Sequence, residues 1–242
     1  MLKKIITENH DESCELVARM LVEPLARKGA CLGLATGGTM EGVYSKVRSL
    51  FVSGGLSFKS ASTVNLDEYV GLEPSHEQSY RAYMNRNLFD HIDIDKAHTY
   101  IPKGTDSPEK MLRDFRRFLD EYPRDIQLLG VGTDGHIGFN EPASCFLLRP
   151  HIVELDAKTR ADNARFFSSP SDVPLQAITM GVGDILEAAK VVLLAYGESK
   201  VFAIRELFLH DRVDPQVPCT ALKLHSDATV VLSRNLADLA GV

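Results

Sequence analysis

Short apolar runs alternate with amphipathic stretches along nearly all of this 242-residue chain. The apolar runs have the length of buried strands, and the stretches between them repeat apolar residues at helical spacing, as at Met111, Phe115 and Phe118. Strands that alternate with helices bury both of their faces by forming a mostly parallel sheet with helices on each side. The sequence therefore predicts a Rossmann-like α/β fold with an open, mostly parallel sheet, in a single domain covering residues 1–242.

The boundaries of the predicted elements follow from this alternation and from local breakers and caps. Strands are predicted over 2–6, 31–35, 62–66, 98–101, 125–129, 177–180, 191–195 and 228–232. Helices are predicted over 11–28, from about 40 to 50, over 78–89, from Ser107 onwards and after the strands at 177–180 and 191–195. Pro24 is expected to kink or split the first helix, because proline lacks the N–H that an interior position donates. Ser107 and Pro108 are typical of a helix start.

Composition and charge exclude several kinds of protein. The apolar and charged fractions, 44% and 25%, are ordinary for a globular chain with a sizeable core. The net charge of −6 disfavours nucleic acid or an anionic membrane as a partner, although it allows a local basic pocket. The four cysteines are scattered, and the sequence shows neither a signal peptide nor a run of about 18 apolar residues. We therefore expect a cytoplasmic protein.

The segment 130–142 carries the densest set of polar groups in the chain, with Asp134, His136, Asn140 and Glu141 among several glycines. It follows a predicted strand, and open α/β sheets bind their ligands at the carboxyl ends of strands. Glycines let a ligand approach the backbone, and flanking carboxylates raise the pKa of an imidazole. We interpret the segment as an active-site loop in which His136 moves a proton to or from a sugar oxygen. The alternative is a structural histidine.

A second glycine-rich turn joins the strand at 31–35 to the helix that follows it, with the sequence Thr36-Gly37-Gly38-Thr39. Free backbone N–H groups and the positive end of a helix favour an anion there, and the threonine hydroxyls add donors. The turn matches neither a Walker loop nor the dinucleotide fingerprint, so neither a nucleoside triphosphate nor NAD is indicated. The alternative is a tight turn that merely needs glycine.

Further charged residues are candidates for the same site. Lys200 lies in a first helical turn, where the helix dipole favours acids, and a nearby phosphate would explain it. Arg165 is a candidate for a second phosphate clamp. Asp67 and Glu68 end the strand at 62–66 and point in different directions, so one of them can face the crevice above the sheet. The alternatives are solvated side chains or, for the acids, a helix cap.

Two further questions concern metal binding and the role of the segment 143–174. Asp67, Asp134, His136 and Glu141 could in principle ligate a divalent ion, but none of the usual zinc or calcium spacings occurs, so we predict that no metal is required. The weakest patterning lies over 143–174, which includes a polar, proline-bounded stretch. This region is either a lid over the active site or an ordinary surface connection.

Taken together, these motifs resemble those of the glucosamine-6-phosphate deaminases, also called glucosamine-6-phosphate isomerases. The resemblance covers nearly the whole chain, with the motifs in the family's order. They are Leu34-Ala35-Thr36-Gly37-Gly38-Thr39, Asn65-Leu66-Asp67-Glu68-Tyr69-Val70-Gly71-Leu72, 130–142, Asn163-Ala164-Arg165-Phe166-Phe167 and Lys200. The run at 134–142 is very specific, because the related 6-phosphogluconolactonases share its glycine–histidine core but not its Phe-Asn-Glu-Pro ending.

The resemblance implies a reaction of amino-sugar catabolism, in which glucosamine 6-phosphate and water give fructose 6-phosphate and ammonia. His136 would open the sugar ring with the help of Asp134 and Glu141, and Asp67 would carry a proton from C2 to C1. The residues implied to bind the phosphate end are Thr36, Gly37, Gly38, Thr39, Arg165 and Lys200. The chemistry has no redox step and implies no cofactor.

The sequence departs from the family pattern mainly where regulation is expected. Met40, Thr133 and Gly138 differ from frequent residues near the site but leave the acid–base set intact. His151 and Val153 stand where allosteric relatives, activated by N-acetylglucosamine 6-phosphate, carry arginine and lysine. The sequence also ends soon after its last predicted strand. We therefore expect a short, non-allosteric form with hyperbolic kinetics, as a monomer or a small homo-oligomer.

Two other functions remain as alternatives. A 6-phosphogluconolactonase on the same fold is disfavoured by Asp67, Glu68 and the Phe-Asn-Glu-Pro run that ends at Pro142. A non-catalytic sugar-phosphate sensor is disfavoured because the predicted catalytic acids and His136 are all present, and because no DNA-binding extension is evident in the sequence.

Overall fold

The computed structural model describes residues 2–155, 160, 167, 169 and 172–242. Its strands are β1 (Lys3–Thr7), β2 (Cys31–Leu34), β3 (Ser62–Asn65), β4 (Asp67–Tyr69), β5 (Thr99–Tyr100), β6 (Ile126–Leu129), β7 (His151–Glu154), β8 (Gln176–Thr179), β9 (Val191–Ala195) and β10 (Ala228–Ser233). Its α-helices are α1 (His10–Val22), α2 (Gly38–Val52), α3 (Tyr80–Asn87), α4 (Pro108–Glu121), α5 (Val182–Leu186), α6 (Val201–Phe208) and α7 (Arg234–Ala240). Short 3-10 helices cover Glu23–Ala26, Phe89–His91, Lys96–His98, Glu198–Lys200 and Pro218–Leu224.

Seven strands form a parallel sheet in the order β1-β10-β9-β6-β2-β3-β5. All its strand pairs are parallel, and β1 lies at one edge, with Lys3 opposite Thr229 of β10. Every residue of β2, β6, β9 and β10 is buried, as expected for strands covered on both faces. The predicted Rossmann-like α/β fold with a mostly parallel sheet is thus confirmed.

A second sheet of three antiparallel strands, in the order β4-β8-β7, was not apparent from the sequence. The strand predicted at 177–180 is β8, and it pairs with β4 and β7 rather than with the parallel sheet. Because β4 and β7 are short and carry charged residues, they lack the apolar runs by which the other strands are recognised. This small sheet places the start of β4 beside the end of the parallel sheet.

The ends of several helices follow from the predicted local chemistry. α1 ends at Val22, and the chain continues as a 3-10 turn that contains Pro24, so the predicted split is observed. α4 begins at Pro108, and Ser107 accepts a hydrogen bond from the backbone N–H of Lys110 at 3.4 Å. The last helix, α7, was not predicted. Among the residues that the structure describes, no helix is both long and apolar enough to cross a membrane.

Candidate active site

A cleft of about 730 Å³ opens at the carboxyl ends of β2, β3 and β6, where the α/β fold is expected to bind ligands. Nearly all of the predicted site residues in the described part of the chain meet at this cleft. Those on its surface are Thr36, Gly37, Gly38, Thr39, Asp67, His136 and Lys200. Asp134 and Glu141 lie behind His136 rather than on the cleft surface.

The loop after β6 is folded back on itself around the imidazole of His136. The backbone N–H of Gly132 donates to the carbonyl of His136 at 2.9 Å, and a Cβ on Gly132 would stand 2.2 Å from the His136 ring. Glycine at 132 is therefore required by the close approach of the ring. Gly135 and Gly138 have φ values of 92° and 58°, in the left-handed region where glycine is favoured.

The far end of this loop is fixed by Asn140. Its side-chain amide donates to the carbonyls of Ile137 and Met180, each at 2.9 Å. The backbone N–H of Phe139 donates to Oγ1 of Thr179 at 3.1 Å. The loop of the parallel sheet is thus bonded to the end of β8, and the two sheets meet at the cleft.

Two carboxylates face the same ring nitrogen of His136. Its Nδ1 lies 2.8 Å from Oδ1 of Asp134 and 3.4 Å from Oε2 of Glu141. The backbone N–H of His136 also donates to Oδ1 of Asp134, at 3.1 Å. Because Nδ1 faces the carboxylates and the ring lines the cleft, Nε2 is the nitrogen available to a ligand.

The environment raises the pKa of His136 and lowers the pKa of Asp134. Burial lowers the pKa of His136, but Asp134 and Glu141 outweigh it and raise the pKa to about 9. Burial acts to raise the pKa of Asp134, and the hydrogen bonds and positive charge of His136 reverse this, so the pKa lies well below its usual range. At neutral pH the site therefore holds an imidazolium beside an ionised aspartate.

Asp67 approaches the cleft from the other sheet. It is the first residue of β4, pairs with Thr179 of β8 and is only 6% exposed. Its Oδ2 lies 3.4 Å from where a Cβ on Gly138 would stand, so the carboxylate packs against the loop that carries His136. Burial first, and then the charge of Glu68, raise the pKa of Asp67 to about 8, with His136 acting in the opposite sense.

The predicted anion-binding turn forms the opposite end of the cleft. Gly37 has a φ of 109° and precedes α2, whose first turn receives no side-chain cap from the described residues. A Cβ on Gly37 or Gly38 would meet no atom within 4 Å, so the space above this turn is open. Lys200, at the end of the 3-10 helix Glu198–Lys200, lines the same cleft. This combination of open backbone and a cation is typical of an anion site.

Two predictions fall wholly or partly outside the described residues. Arg165 lies there, so its predicted part in binding phosphate stays a prediction. The predicted lid region, 143–174, lies partly there, and within it the structure describes β7. His151 and Val153, the positions linked to allosteric relatives, both belong to β7.

Sequence reasoning missed an aromatic wall on one side of the cleft, formed by Tyr69, Tyr80, Phe139 and Phe167. Tyr80 stacks on Phe139 with an interplanar angle of 5°, and Tyr69 contacts the other three rings. These residues come from four separate segments, so no local pattern brings them together. The one signal was that Tyr69, Phe139 and Phe167 each stand within one of the sequence motifs described above.

Three side chains of the same loop are close enough together to bind a cation. Asp134, His136 and Glu141 each present one donor atom, all within 4.8 Å of one another. Such a set can ligate a divalent ion, but here the carboxylates already face the protonated imidazole and balance its charge. That the protein requires no metal stays a prediction.

Comparison with known sequences agrees with the motifs. The sequence model of the family described as glucosamine-6-phosphate isomerases/6-phosphogluconolactonase matches residues 7–231. A glucosamine-6-phosphate deaminase of Bacillus pumilus (strain SAFR-032) is 46% identical over 230 residues, which cover 94% of this chain and 94% of that protein. Glucosamine-6-phosphate deaminase 1 of Bacillus subtilis (strain 168) is 42% identical over 241 residues, covering 98% and 99%.

Solved structures separate the deaminases from the lactonases. A monomeric glucosamine-6-phosphate deaminase superposes with a TM-score of 0.94 at 42% identity, covering 98% of this chain and 99% of that one. A 6-phosphogluconolactonase from Thermotoga maritima gives a TM-score of 0.74 at 18% identity, covering 96% and 99%, which shows a shared fold alone. The chain therefore belongs to the glucosamine-6-phosphate isomerase/6-phosphogluconolactonase family, and within that family to the glucosamine-6-phosphate deaminases.

Proposed function

We propose that the protein is an enzyme that converts glucosamine 6-phosphate and water into fructose 6-phosphate and ammonia. The observation that carries the proposal is that His136 and Asp67 line one cleft together with the open N-terminus of α2. One end of this cleft supplies acid–base groups, and the other suits a phosphate. A phosphorylated amino sugar fits both requirements.

Ring opening is the first step, and it suits the charged His136. The bond between C1 and the ring oxygen breaks, the ring oxygen gains a proton and the C1 hydroxyl loses one. Nε2 of His136 faces the cleft and transfers these protons, while Asp134 and Glu141 hold the imidazole in place and stabilise its positive charge. The product is an open-chain amino aldehyde.

Isomerisation follows, and it suits Asp67. The carboxylate removes the proton from C2 while a proton passes from the cationic amine to the C1 oxygen, which gives an enolamine. The carboxylate then returns its proton to C1. This leaves an imine at C2, to which water adds before ammonia departs. A buried carboxylate with a raised pKa is a stronger base than an exposed one, and the cationic amine of the substrate would keep it ionised.

The phosphate end supplies binding energy that holds C1 and C2 near Asp67. We assign this part to Thr36, Gly37, Gly38, Thr39 and Lys200 on the cleft surface, together with Arg165. The proposal also includes the site residues as a set, a lid within 143–174 and a single domain. It further includes a cytoplasmic location and a monomeric or small oligomeric state without nucleic-acid partners. None of the four cysteines forms a disulfide, which fits the reducing environment of the cytoplasm.

The decisive experiment measures ammonia and fructose 6-phosphate released from glucosamine 6-phosphate by metal-free protein. Equal amounts of both products are expected. Absence of both products, together with hydrolysis of 6-phosphogluconolactone, would replace the proposal with a lactonase. Binding of sugar phosphates without turnover of either substrate would identify a sensor.

A further inference from the structure

The acid next to Asp67 is buried and does not reach the cleft. Glu68 is 2% exposed, and its carboxylate accepts three backbone hydrogen bonds. Oε1 accepts from the N–H groups of Tyr69 at 2.9 Å and Tyr80 at 2.8 Å, and Oε2 accepts from that of Arg81 at 3.0 Å. Burial raises the pKa of Glu68 to about 7, although the three N–H donors and the positive charge of Arg81 stabilise the charged form.

Two of these donors belong to the first turn of α3. Glu68 bonds the N–H groups of Tyr80 and Arg81, while Ser79 Oγ accepts from Ala82 at 3.0 Å and the Ser79 carbonyl accepts from Tyr83 at 2.9 Å. The first four N–H groups of the helix are thus all satisfied. The negative charge of Glu68 also lies at the positive end of the helix dipole.

α3 connects this junction to the other end of the cleft. Tyr80 and Tyr83 line the cleft, and Oη of Tyr83 donates to the carbonyl of Gly37 at 2.8 Å. The guanidinium of Arg81 donates to the hydroxyl and carbonyl of Thr99, and its charge also acts on Glu68. A displacement of the helix start would therefore reach both Asp67 and the Gly37 turn.

We propose that Glu68 is a positioning residue for the reaction assigned above: its buried carboxylate joins the start of α3 to β4 and keeps a negative charge beside Asp67. This inference rests on the proposed function, in which Asp67 is the base. A neighbouring negative charge disfavours ionisation of Asp67 and so makes its carboxylate a stronger proton acceptor.

The raised pKa of Asp67 can be traced to particular groups around it. His136 on the loop after β6 lowers the pKa of Asp67, whereas burial and Glu68 raise it to about 8. Tyr44 of α2 and Tyr80 of α3 also face Asp67, and burial raises the pKa of both phenols well above the usual range, so they stay neutral. Among the described residues, Glu68 is therefore the acid whose charge raises the pKa of Asp67, and it carries that charge above about pH 7.

The test compares two substitutions that separate charge from geometry. Glu68→Gln removes the charge, so the acid limb of the pH profile of kcat/KM should move to lower pH by on the order of one unit, with a lower plateau kcat. Glu68→Asp keeps the charge but shortens the tether, so the limb should stay in place while KM rises roughly tenfold, the equivalent of about one lost hydrogen bond.

Ser79→Ala provides the matched structural control, because it removes a cap from the same helix start without changing charge. It should lower the melting temperature and leave the acid limb unmoved. The inference is overturned if Glu68→Gln leaves the limb in place, if Ser79→Ala moves it equally, or if neither Glu68 variant folds while Ser79→Ala does. A wild-type protein without deaminase activity would instead overturn the proposed function.

Discussion

At the scale of single residues, the site is organised by carboxylates with opposite pKa shifts. Asp67 is buried beside another acid and its pKa is raised to about 8, whereas Asp134 faces an imidazolium and its pKa is lowered. Groups of one chemical type whose environments separate their pKa values are suited to different acid–base roles. This contrast supports Asp67 as the proton carrier and Asp134 as the partner of His136.

Substitution of the proposed base should abolish proton transfer at carbon. Asp67→Asn is expected to reduce kcat by roughly 10²–10⁴-fold or more, because the amide cannot accept the C2 proton. The measurement is exchange of the C2 proton with solvent deuterium, followed by NMR. Lys200→Ala is the matched comparison, and it should mainly raise KM by removing binding energy at the phosphate end. Near-normal turnover by Asp67→Asn would show that another group is the base.

The pKa of His136 should depend on its carboxylate partners. In the wild-type protein the imidazolium persists up to about pH 9, so its contribution to stability is complete below the unfolded-state pKa and is lost as the pH rises through about 9. Asp134→Asn is expected to lower the pKa of His136, by on the order of one unit, and to move that loss to lower pH. NMR titration of the imidazole Cε1 proton measures the shift directly.

Asp120→Asn is the control for this titration, because Asp120 is an exposed carboxylate on α4 that pairs with Arg116. It should leave the imidazole titration unchanged. An unchanged pKa in Asp134→Asn would show that the carboxylates do not maintain the imidazolium.

Prediction from the sequence succeeded for residues whose chemistry is visible locally. The spacing of Asp134, His136 and Glu141 within one glycine-rich loop was enough to bring them together. The different directions of Asp67 and Glu68 also followed from their adjacency on a strand. The stacking of Tyr80 on Phe139 was not predictable, since it depends on how α3 lies over the loop after β6.

At the scale of elements, the start of α2 has open space above its backbone. A Cβ on Gly38 would meet nothing within 4 Å, and Gly38 lacks the positive φ of Gly37. Neither backbone strain nor packing within the protein therefore explains glycine at this position. Close approach of a ligand to the backbone does explain it.

Gly38→Ala tests this explanation. The free energy of unfolding should stay the same or rise by about 0.5 kcal/mol, because alanine restricts the unfolded chain and fits the native conformation. KM should rise by about tenfold, which corresponds to roughly 1.4 kcal/mol of lost binding. Thermal melts and steady-state kinetics measure the two effects. A reduced melting temperature with an unchanged KM would indicate a structural glycine instead.

The elements themselves were predictable to the extent that each one buries an apolar run. The strands of the parallel sheet are covered on both faces, so their sequences stand out. β4 and β7 pair with β8 in a small sheet. Because both strands contain charged residues, they lack the apolar run by which a buried strand is predicted. Even so, the strand that carries the proposed base belongs to this small sheet.

At the scale of the whole molecule, the prediction concerns regulation. With His151 and Val153 on β7, in place of the arginine and lysine of allosteric relatives, we expect a hyperbolic rate curve for glucosamine 6-phosphate. N-acetylglucosamine 6-phosphate should leave that curve unchanged, and light scattering should give the mass of one chain. A sigmoidal curve relieved by the acetylated sugar, with a larger mass, would contradict the non-allosteric interpretation.

The edge position of β1 has a consequence for synthesis on the ribosome. Lys3 pairs with Thr229, so β1 has no partner in this sheet until β10 has been translated. At 5–20 residues per second this interval lasts roughly 10–45 s. An unpaired strand of apolar residues is a template for aggregation, and lysines on an edge oppose such pairing. We therefore expect Lys3 and Lys4, both exposed on β1, to oppose aggregation of the nascent chain during this interval.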